Sequence, residues 1–276
     1  MKMSYGGDTL NTSVYLSRGN IQTSYVTALG DDINSDWLIS EWQQEKVDCS
    51  LVERMPNSVP GLYMIDIDEH GERSFFYWRK DSPASRLFDE HKKVAELFSK
   101  LNDYSYLYLS GISLAILPAD SLSRLFDHLK EYRSQGGRII FDGNYRARLW
   151  QDVDRAQKAY QQMYQITDIA LPTLEDEESL FGFNTAEKVV EILKGFGVKE
   201  IVVKMGGEGC LSFCDEKANY VAATPTNPVD TTAAGDSFNA GYLSARLSGS
   251  AVVDACFAGH QLASRVIQHR GAIIPA

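Results

Sequence analysis

The sequence predicts an α/β protein with a doubly wound, mostly parallel sheet that is covered by helices on both faces. From about Leu107 onward, short β-type runs alternate with amphipathic helical stretches, which is the pattern of parallel strands joined by crossover helices. At 276 residues, with 44% hydrophobic residues, the chain is long enough to bury a large core. The predicted strands are 106–109, 138–142, 168–171 and 200–204, and the predicted helices are 118–133, 186–194, 235–247 and 251–269.

A different pattern occupies about residues 58–80. Two runs rich in aromatic residues, 62–67 and 73–78, flank Asp68-Glu69-His70-Gly71, which is the signature of a β-hairpin. Because an open aromatic sheet face would aggregate, the hairpin is expected to cover either a ligand or another subunit. We therefore predict one domain over residues 1–276 with a small antiparallel lid, and a homo-oligomer that forms through this lid.

Composition excludes several partners and compartments. The chain has 27 Lys and Arg against 37 Asp and Glu, a net charge of −10, and no basic run that would follow a nucleic-acid backbone. Its four cysteines form no Cys-Xaa-Xaa-Cys pair, and its opening is too polar for a signal peptide. No apolar stretch approaches the length of a membrane span. We expect a cytoplasmic protein with reduced thiols and with neither a nucleic-acid nor a membrane partner.

A run of small residues at 230–241 holds the first candidate for catalysis. Its first seven residues read Asp-Thr-Thr-Ala-Ala-Gly-Asp and reach the start of a predicted helix, where free amides and the helix dipole stabilise an anion. Asp236 would accept a proton from an attacking hydroxyl, while the amides of Ala233, Ala234 and Gly235 stabilise a phosphoryl group in transfer. For a short match, simple helix capping explains such a run equally well.

At full length the run resembles the C-terminal signature of the PfkB (ribokinase-like) family of sugar kinases, which implies the ribokinase-like fold. A second stretch, Gly-Gly-Asp-Thr-Leu-Asn, resembles the sugar-binding segment of the family's 2-keto-3-deoxygluconate kinases. By that resemblance Gly6, Gly7, Asp8 and Asn11 would bind the hydroxyls of the sugar. Taken alone, the stretch is an ordinary turn followed by a helix cap.

The lid and one strand end offer groups for a carboxylated sugar. By the same resemblance Tyr63, Tyr77 and Trp78 would wall the substrate site, and Arg79 would bind a carboxylate through paired hydrogen bonds. Arg146, in an Asp-Gly-Asn-Tyr-Arg element after a predicted strand, would bridge that carboxylate and a nucleotide phosphate. Alternatively, the lid aromatics are core or interface residues, Arg79 is a solvated rim charge, and Arg146 forms a structural ion pair with Asp142.

The nucleotide side of the site is predicted from two further elements. In this family the glycine-rich loop after strand 200–204 contacts ATP, and no Walker loop occurs anywhere in the chain. The same loop alternatively forms the tight turn of a hairpin. The resemblance thus implies ATP as the phosphoryl donor, with Mg²⁺ bridging its phosphates. The predicted nucleotide-binding residues are Asn144, Arg146, Lys204, Gly206, Gly207, Gly209, Ala233, Ala234 and Gly235.

Metal binding is the least specific of these predictions. Many family members carry Asn-Xaa-Xaa-Glu where this chain has Thr173 and Asp176, so Asp176 and Glu177 are predicted only as outer-sphere groups for Mg²⁺. The alternative explanation is that these are simply acidic residues in a first helical turn, where the helix dipole stabilises negative charge.

Together these resemblances imply a kinase that phosphorylates the 6-hydroxyl of 2-keto-3-deoxy-D-gluconate, a small sugar acid. Two alternatives stay open at this point. One is a neutral-sugar kinase of the fructokinase or ribokinase type. The other is an inactive sugar-acid or nucleotide binder, because the family places a central strand before Gly6-Gly7 and this sequence is expected to lack it.

Overall fold

The structure, a computed structural model, describes residues 3–67, 73–78 and 81–276; for 63–67 and 73–77 it describes the backbone alone. The helices are α1 (Asp8–Arg18), α2 (Ile33–Gln44), α3 (His91–Leu101), α4 (Gly111–Ala115), α5 (Ala119–Ser134), α6 (Val153–Gln165), α7 (Leu174–Phe181), α8 (Ala186–Gly195), α9 (Ala234–Leu247) and α10 (Val252–Val266). The strands are β1 (Thr27–Leu29), β2 (Val52–Arg54), β3 (Leu62–Ile67), β4 (Arg73–Trp78), β5 (Tyr106–Ser110), β6 (Arg138–Asp142), β7 (Ile169–Ala170), β8 (Glu200–Lys204), β9 (Cys210–Cys214) and β10 (Lys217–Val221).

The central sheet has six strands in the order β10-β9-β8-β7-β6-β5. Strands β5 to β8 run parallel, and β8, β9 and β10 pair antiparallel. The connections between the parallel strands contain helices, as a parallel sheet requires. The predicted mostly parallel α/β sheet is therefore confirmed, and the loop at 206–209 is indeed the turn of a hairpin between β8 and β9.

Helices cover both faces of this sheet, and strand β6 shows how the sequence achieves it. Ile139 and Phe141 belong to one apolar cluster, which also contains residues of α5, α6 and α8, whereas Ile140 belongs to a second cluster with residues of α1, α9 and α10. Successive side chains of a strand point to opposite faces, so one continuous apolar run serves both layers. The doubly wound arrangement follows from this alternation.

Strands β1 and β2 form a separate parallel pair that the sequence pattern did not predict. A cavity of about 800 Å³ lies between β1 and β5, and its walls are mostly apolar side chains of the surrounding helices and strands. Asp8 and Thr9, at the start of α1, are among the residues that line it. The cavity therefore adjoins the polar side chains described below.

The predicted antiparallel hairpin is confirmed. Strands β3 and β4 pair antiparallel with Leu62 opposite Trp78 and Tyr63 opposite Tyr77. The side chains of Leu62 and Trp78 are 55% and 58% exposed. Among the described residues, no helix combines the length and the apolar character needed to cross a bilayer.

Candidate active site

The polar residues predicted from distant parts of the chain meet where the parallel strands end. Ser110 closes β5, Asp142 closes β6 and Lys204 closes β8, and the first turns of α1 and α9 face them. Open α/β sheets bind ligands at the carboxyl ends of their strands because the loops and helix starts converge there. This edge of the sheet is the candidate active site.

Asp236 lies in the first turn of α9 and is 9% exposed. The Asn11 side chain, one turn into α1, donates from Nδ2 to Asp236 Oδ2 at 2.8 Å, and Thr12 Oγ1 donates to the Asp236 carbonyl at 3.3 Å. Burial, followed by the nearby charge of Asp8, raises the pKa of Asp236 to about 8. A carboxyl group with this pKa is suited to accepting a proton near neutral pH.

Asp8 is the second carboxyl group of the site. It is the first residue of α1, and the Ser110 hydroxyl donates to its Oδ2. Burial raises the pKa of Asp8 as well. The backbone N–H of Asn11 donates to the Gly7 carbonyl at 2.7 Å, which ties the glycine pair to the helix. The stretch predicted to bind sugar hydroxyls thus presents both acceptors and donors beside Asp236.

The start of α9 has the features of an anion site. Ala233, its N-cap, is held in the left-handed conformation at φ 62°, which is rare for a residue with a side chain. Among the described residues, none accepts a hydrogen bond from the amides of Ala233, Gly235 or Asp236. One expectation needs correction: the Ala234 N–H donates to the Thr231 carbonyl at 3.2 Å, so the Asp236 amide takes its place among the free donors.

Lys204, which was predicted to bind the nucleotide, lies buried at the end of β8. Its side chain is 9% exposed and Nζ donates to Asp142 Oδ1 at 3.0 Å, an ion pair that the sequence did not predict. An ideal Cβ added to Gly235 would lie 3.6 Å from Nζ. The ammonium group is therefore beneath the first turn of α9, under the anion site.

The glycine loop turns tightly next to this ammonium group. Gly206 and Gly207 are exposed, and Gly209 has φ 113°. A Cβ at Gly209 would lie 2.2 Å from the Val221 carbonyl oxygen, so this position requires glycine. The loop backbone is closed by a hydrogen bond from the Met205 N–H to the Gly209 carbonyl at 2.8 Å. The exposed glycines leave room for a large ligand to approach the backbone.

Arg146 pairs with Asp176 at 3.2 Å, not with Asp142 as the structural alternative supposed. Its side chain is 52% exposed, so the guanidinium group is available to a ligand. Asn144 lies between this pair and the end of β6, is buried, and adopts φ 37°. Its Oδ1 has no hydrogen-bond partner within the described part of the chain.

The two predicted outer-sphere carboxylates differ in their surroundings. Burial raises the pKa of Asp176, and the Arg146 guanidinium opposes this effect. Burial also raises the pKa of Glu177 to about 8, although the hydrogen bond from the Tyr164 hydroxyl opposes it. In residues 3–67, 73–78 and 81–276, no three His, Cys, Asp or Glu side chains cluster to bind a metal ion by themselves.

Of the four lid residues in the predicted site, only Trp78 has a described side chain, and it is exposed. Arg79 lies outside the described residues, and so do the side chains of Tyr63 and Tyr77. Three site residues were not predicted at all: Tyr108, Ser110 and Asn239. Ser110 directly follows a predicted strand and Asn239 lies within the small-residue signature, but only the fold reveals their partners.

A buried carboxyl group beside free helix-start amides, close to an open glycine loop, is the arrangement expected of an enzyme that transfers a phosphoryl group to a hydroxyl. Residues 1–276 match the pfkB family of carbohydrate kinases, and the chain belongs to that family. It is therefore a sugar kinase.

Individual relatives are also similar over nearly the whole chain. A 2-dehydro-3-deoxygluconokinase of Escherichia coli strain K12 is 48% identical over 283 residues, covering 100% of this chain and 91% of the relative. The enzyme of the same name from Haemophilus influenzae is 40% identical over 99% of this chain and 89% of its own length. A crystal structure of a PfkB protein from Polaromonas sp. JS666 is 27% identical and superposes with a TM-score of 0.85, covering 95% of this chain and 85% of that one.

Proposed function

We propose that this chain transfers the γ-phosphoryl group of ATP to the 6-hydroxyl of 2-keto-3-deoxy-D-gluconate, the sugar acid also called 2-dehydro-3-deoxygluconate. The two relatives that carry this substrate in their names, at 48% and 40% identity over 99% or more of the chain, support the choice of sugar. They do not favour the neutral-sugar alternative.

One contact carries the proposal: the 2.8 Å hydrogen bond from Asn11 Nδ2 to Asp236 Oδ2. It joins the stretch expected to bind sugar hydroxyls to the group expected to deprotonate one of them, across 225 residues of sequence. A hydroxyl held by Asp8 and Asn11 would lie within reach of the Asp236 carboxylate. Holding the two groups together removes much of the entropic barrier to the reaction.

In this proposal Asp236 accepts the proton of the 6-hydroxyl as its oxygen attacks the γ-phosphorus. The free amides of Ala233, Gly235 and Asp236 donate to the phosphoryl oxygens, and the Lys204 ammonium group lies behind them. These donors are fixed by the fold before the substrate arrives, so no reorganisation is needed as charge develops.

The groups around the anion site fit a nucleoside triphosphate. The exposed Gly206 and Gly207 let a ligand approach the loop backbone, and the unpartnered amides at α9 suit phosphate oxygens. Mg²⁺ bound to ATP neutralises phosphate charge and is commonly held by the phosphates, waters and only one or two carboxylates. Asp176 would contact the ion only through water, as an outer-sphere group, and Arg146 would bridge an ATP phosphate and the carboxylate of the sugar acid.

Arg146 gives the proposal a selective test. We expect Arg146→Gln to raise KM for the sugar acid at least about tenfold, because one charge-assisted hydrogen bond to the carboxylate is lost. KM for fructose or ribose should be unaffected. An ADP-release assay with the sugar acid, fructose and ribose measures both effects.

Arg148→Gln is the matched control, because Arg148 is an exposed arginine two residues away. Its kinetics should equal those of the unaltered protein. Faster phosphorylation of fructose or ribose than of the sugar acid by the unaltered protein would refute the proposed substrate.

We also propose that two copies associate through the lid, in the cytoplasm. The exposed, cross-strand pair Leu62 and Trp78 offers an apolar surface on this hairpin for the contact between copies. The four cysteines carry free thiols, which fits the cytoplasm. Light scattering should give about twice the 30.8 kDa chain mass for the unaltered protein. Trp78→Lys should reduce it to one chain mass, while Tyr220→Lys, an exposed aromatic on β10, should not. A monomeric unaltered protein would rule out this association.

A further inference from the structure

Four polar side chains form a closed ring beneath the first turn of α9. They come from four separate elements: Tyr108 from β5, Asp142 from β6, Lys204 from β8 and Asn239 from α9. Lys204 Nζ donates to Asp142 Oδ1 and to Asn239 Oδ1, each at 3.0 Å. Asn239 Nδ2 donates to the Tyr108 hydroxyl at 3.0 Å, and Tyr108 donates to Asp142 Oδ2 at 3.3 Å.

The direction of these hydrogen bonds is consistent around the ring. Both paths begin at the Lys204 ammonium and end at the Asp142 carboxylate: one is direct, and the other runs through Asn239 and Tyr108. Hydrogen bonds aligned in this way polarise one another in a low-dielectric interior. Asp142 and Asn239 are 2% and 0% exposed and Lys204 is buried, so the ion pair is shielded from water, whereas Tyr108 is half-buried.

Stability alone does not account for a buried ion pair at this position. Removing two charges from water costs several kcal/mol, and apolar replacements are often as stable or more stable. The ring also connects the central sheet to the helix that carries Asp236. A role in the chemistry of that helix is the more specific explanation.

The ring contacts the active site at two points. The ammonium group lies under Gly235, 3.6 Å from where a Cβ would be. Thr12 Oγ1 lies 3.4 Å from the Tyr108 hydroxyl and donates to the Asp236 carbonyl at 3.3 Å. The ring therefore lies directly against the anion site, and through Thr12 it also contacts the backbone carbonyl of Asp236.

We propose that Tyr108, Asp142, Lys204 and Asn239 are positioning residues that set the charge state of Asp236 through the opposed charges of Lys204 and Asp142. Tyr108 and Asn239 hold these two charges at fixed distances from the helix. This inference rests on the proposed role of Asp236 as the base, and it assigns Lys204 to that base instead of to the nucleotide loop.

The groups that face Asp236 define what each charge should do. Asp8 on α1 and Asp142 on β6 disfavour the Asp236 carboxylate, whereas Lys204 on β8 and the hydrogen bond from Asn11 favour it. Removing Lys204's charge should therefore raise the titration midpoint of Asp236, and removing Asp142's charge should lower it. A ring that served only to hold the fold together would not produce shifts of opposite sign.

The test is an NMR titration of the Asp236 carboxyl carbon in protein labelled with ¹³C-aspartate, with the signal assigned by its loss in Asp236→Asn. We expect a shift of about one pH unit upward in Lys204→Gln and about one unit downward in Asp142→Asn. Tyr108→Phe, which removes only a hydroxyl group, should shift the midpoint less and lower kcat more than it changes KM.

The double variant Lys204→Gln/Asp142→Asn keeps the hydrogen-bonding groups and removes both charges. The titration midpoint of Asp236 in the double variant should return close to that of the unaltered protein. Because the double variant leaves no unpaired buried charge, it can be measured even if a single variant fails to fold. Shifts of the same sign in both single variants, or a double variant displaced as far as either one, would overturn the inference. Because the titration needs no substrate, it is independent of the proposed sugar, which the activity of the unaltered protein tests.

Discussion

Replacing Asp236 with Asn is expected to lower kcat by 10² to 10⁴-fold and to leave KM nearly unchanged. The amide cannot accept the proton of the attacking hydroxyl, but it can still accept the hydrogen bond from Asn11. In the unaltered protein, kcat/KM should fall as the pH drops through about 8, because only the carboxylate form of Asp236 acts as a base. Steady-state kinetics between pH 6 and about 9.5 measure both effects.

Thermal unfolding shows whether Asp236→Asn loses activity because the base is absent or because the protein is unfolded. The folded protein raises the pKa of Asp236 from 3.8 to about 8, so this group destabilises the fold increasingly as the pH rises between those values. Asp236→Asn removes that effect and should match or exceed the unaltered protein in Tm at neutral pH. Asp127→Asn, at an exposed carboxylate paired with Lys130, is the control and should change neither activity nor Tm. Near-normal turnover of Asp236→Asn would exclude Asp236 as the base.

Gly209→Ala is expected to destabilise the protein by roughly 3 kcal/mol or more and to abolish tight binding of ATP. The added Cβ would lie 2.2 Å from the Val221 carbonyl oxygen and 2.9 Å from the Ala222 Cα, and both are backbone atoms that cannot rotate away. The backbone at φ 113° and ψ −140° is also in a region that is essentially restricted to glycine. Urea unfolding and a nucleotide-binding titration measure the two losses.

The control for this prediction is Gly249→Ala. Gly249 also has a positive φ, 96°, but nothing lies within 4 Å of its would-be Cβ. Gly249→Ala therefore measures the cost in unfolding free energy of placing alanine at a positive φ, about 1–2 kcal/mol, without the steric clash. Equal losses in the two variants would show that the close approach of β10 to the loop contributes nothing.

Local patterns in the sequence predicted the sheet because each signal is contained in one element. The run at 138–142 is apolar on both faces of a strand, and the adjacent helices carry their own periodic apolar positions and caps. The same applies to the lid, whose strands were predicted at 62–67 and 73–78. Strands β1 and β2 have three residues each, too few to show alternation, and were missed.

The candidate site was predicted in its parts but not in its pairing. The small-residue run and the Gly-Gly-Asp stretch are recognisable alone, and the fold brings Asn11 to Asp236. Which cation pairs with which carboxylate depends on three-dimensional distance: Lys204 and Asp142 are 62 residues apart, and Arg146 and Asp176 are 30 apart. No local pattern encodes such a choice. Lys204 was therefore predicted only as a nucleotide-binding residue, and Asp142 rather than Asp176 was considered as the alternative ion-pair partner of Arg146.

Identifying the phosphorylated atom of the product tests the proposed reaction. The purified protein would be incubated with ATP, Mg²⁺ and 2-keto-3-deoxy-D-gluconate, and the product examined by ³¹P–¹H correlation NMR. We expect one sugar phosphate per ADP formed, with phosphorus coupled to the two hydrogens on C6. Phosphorus on any other carbon, or ADP formed without a sugar phosphate, would contradict the proposed reaction.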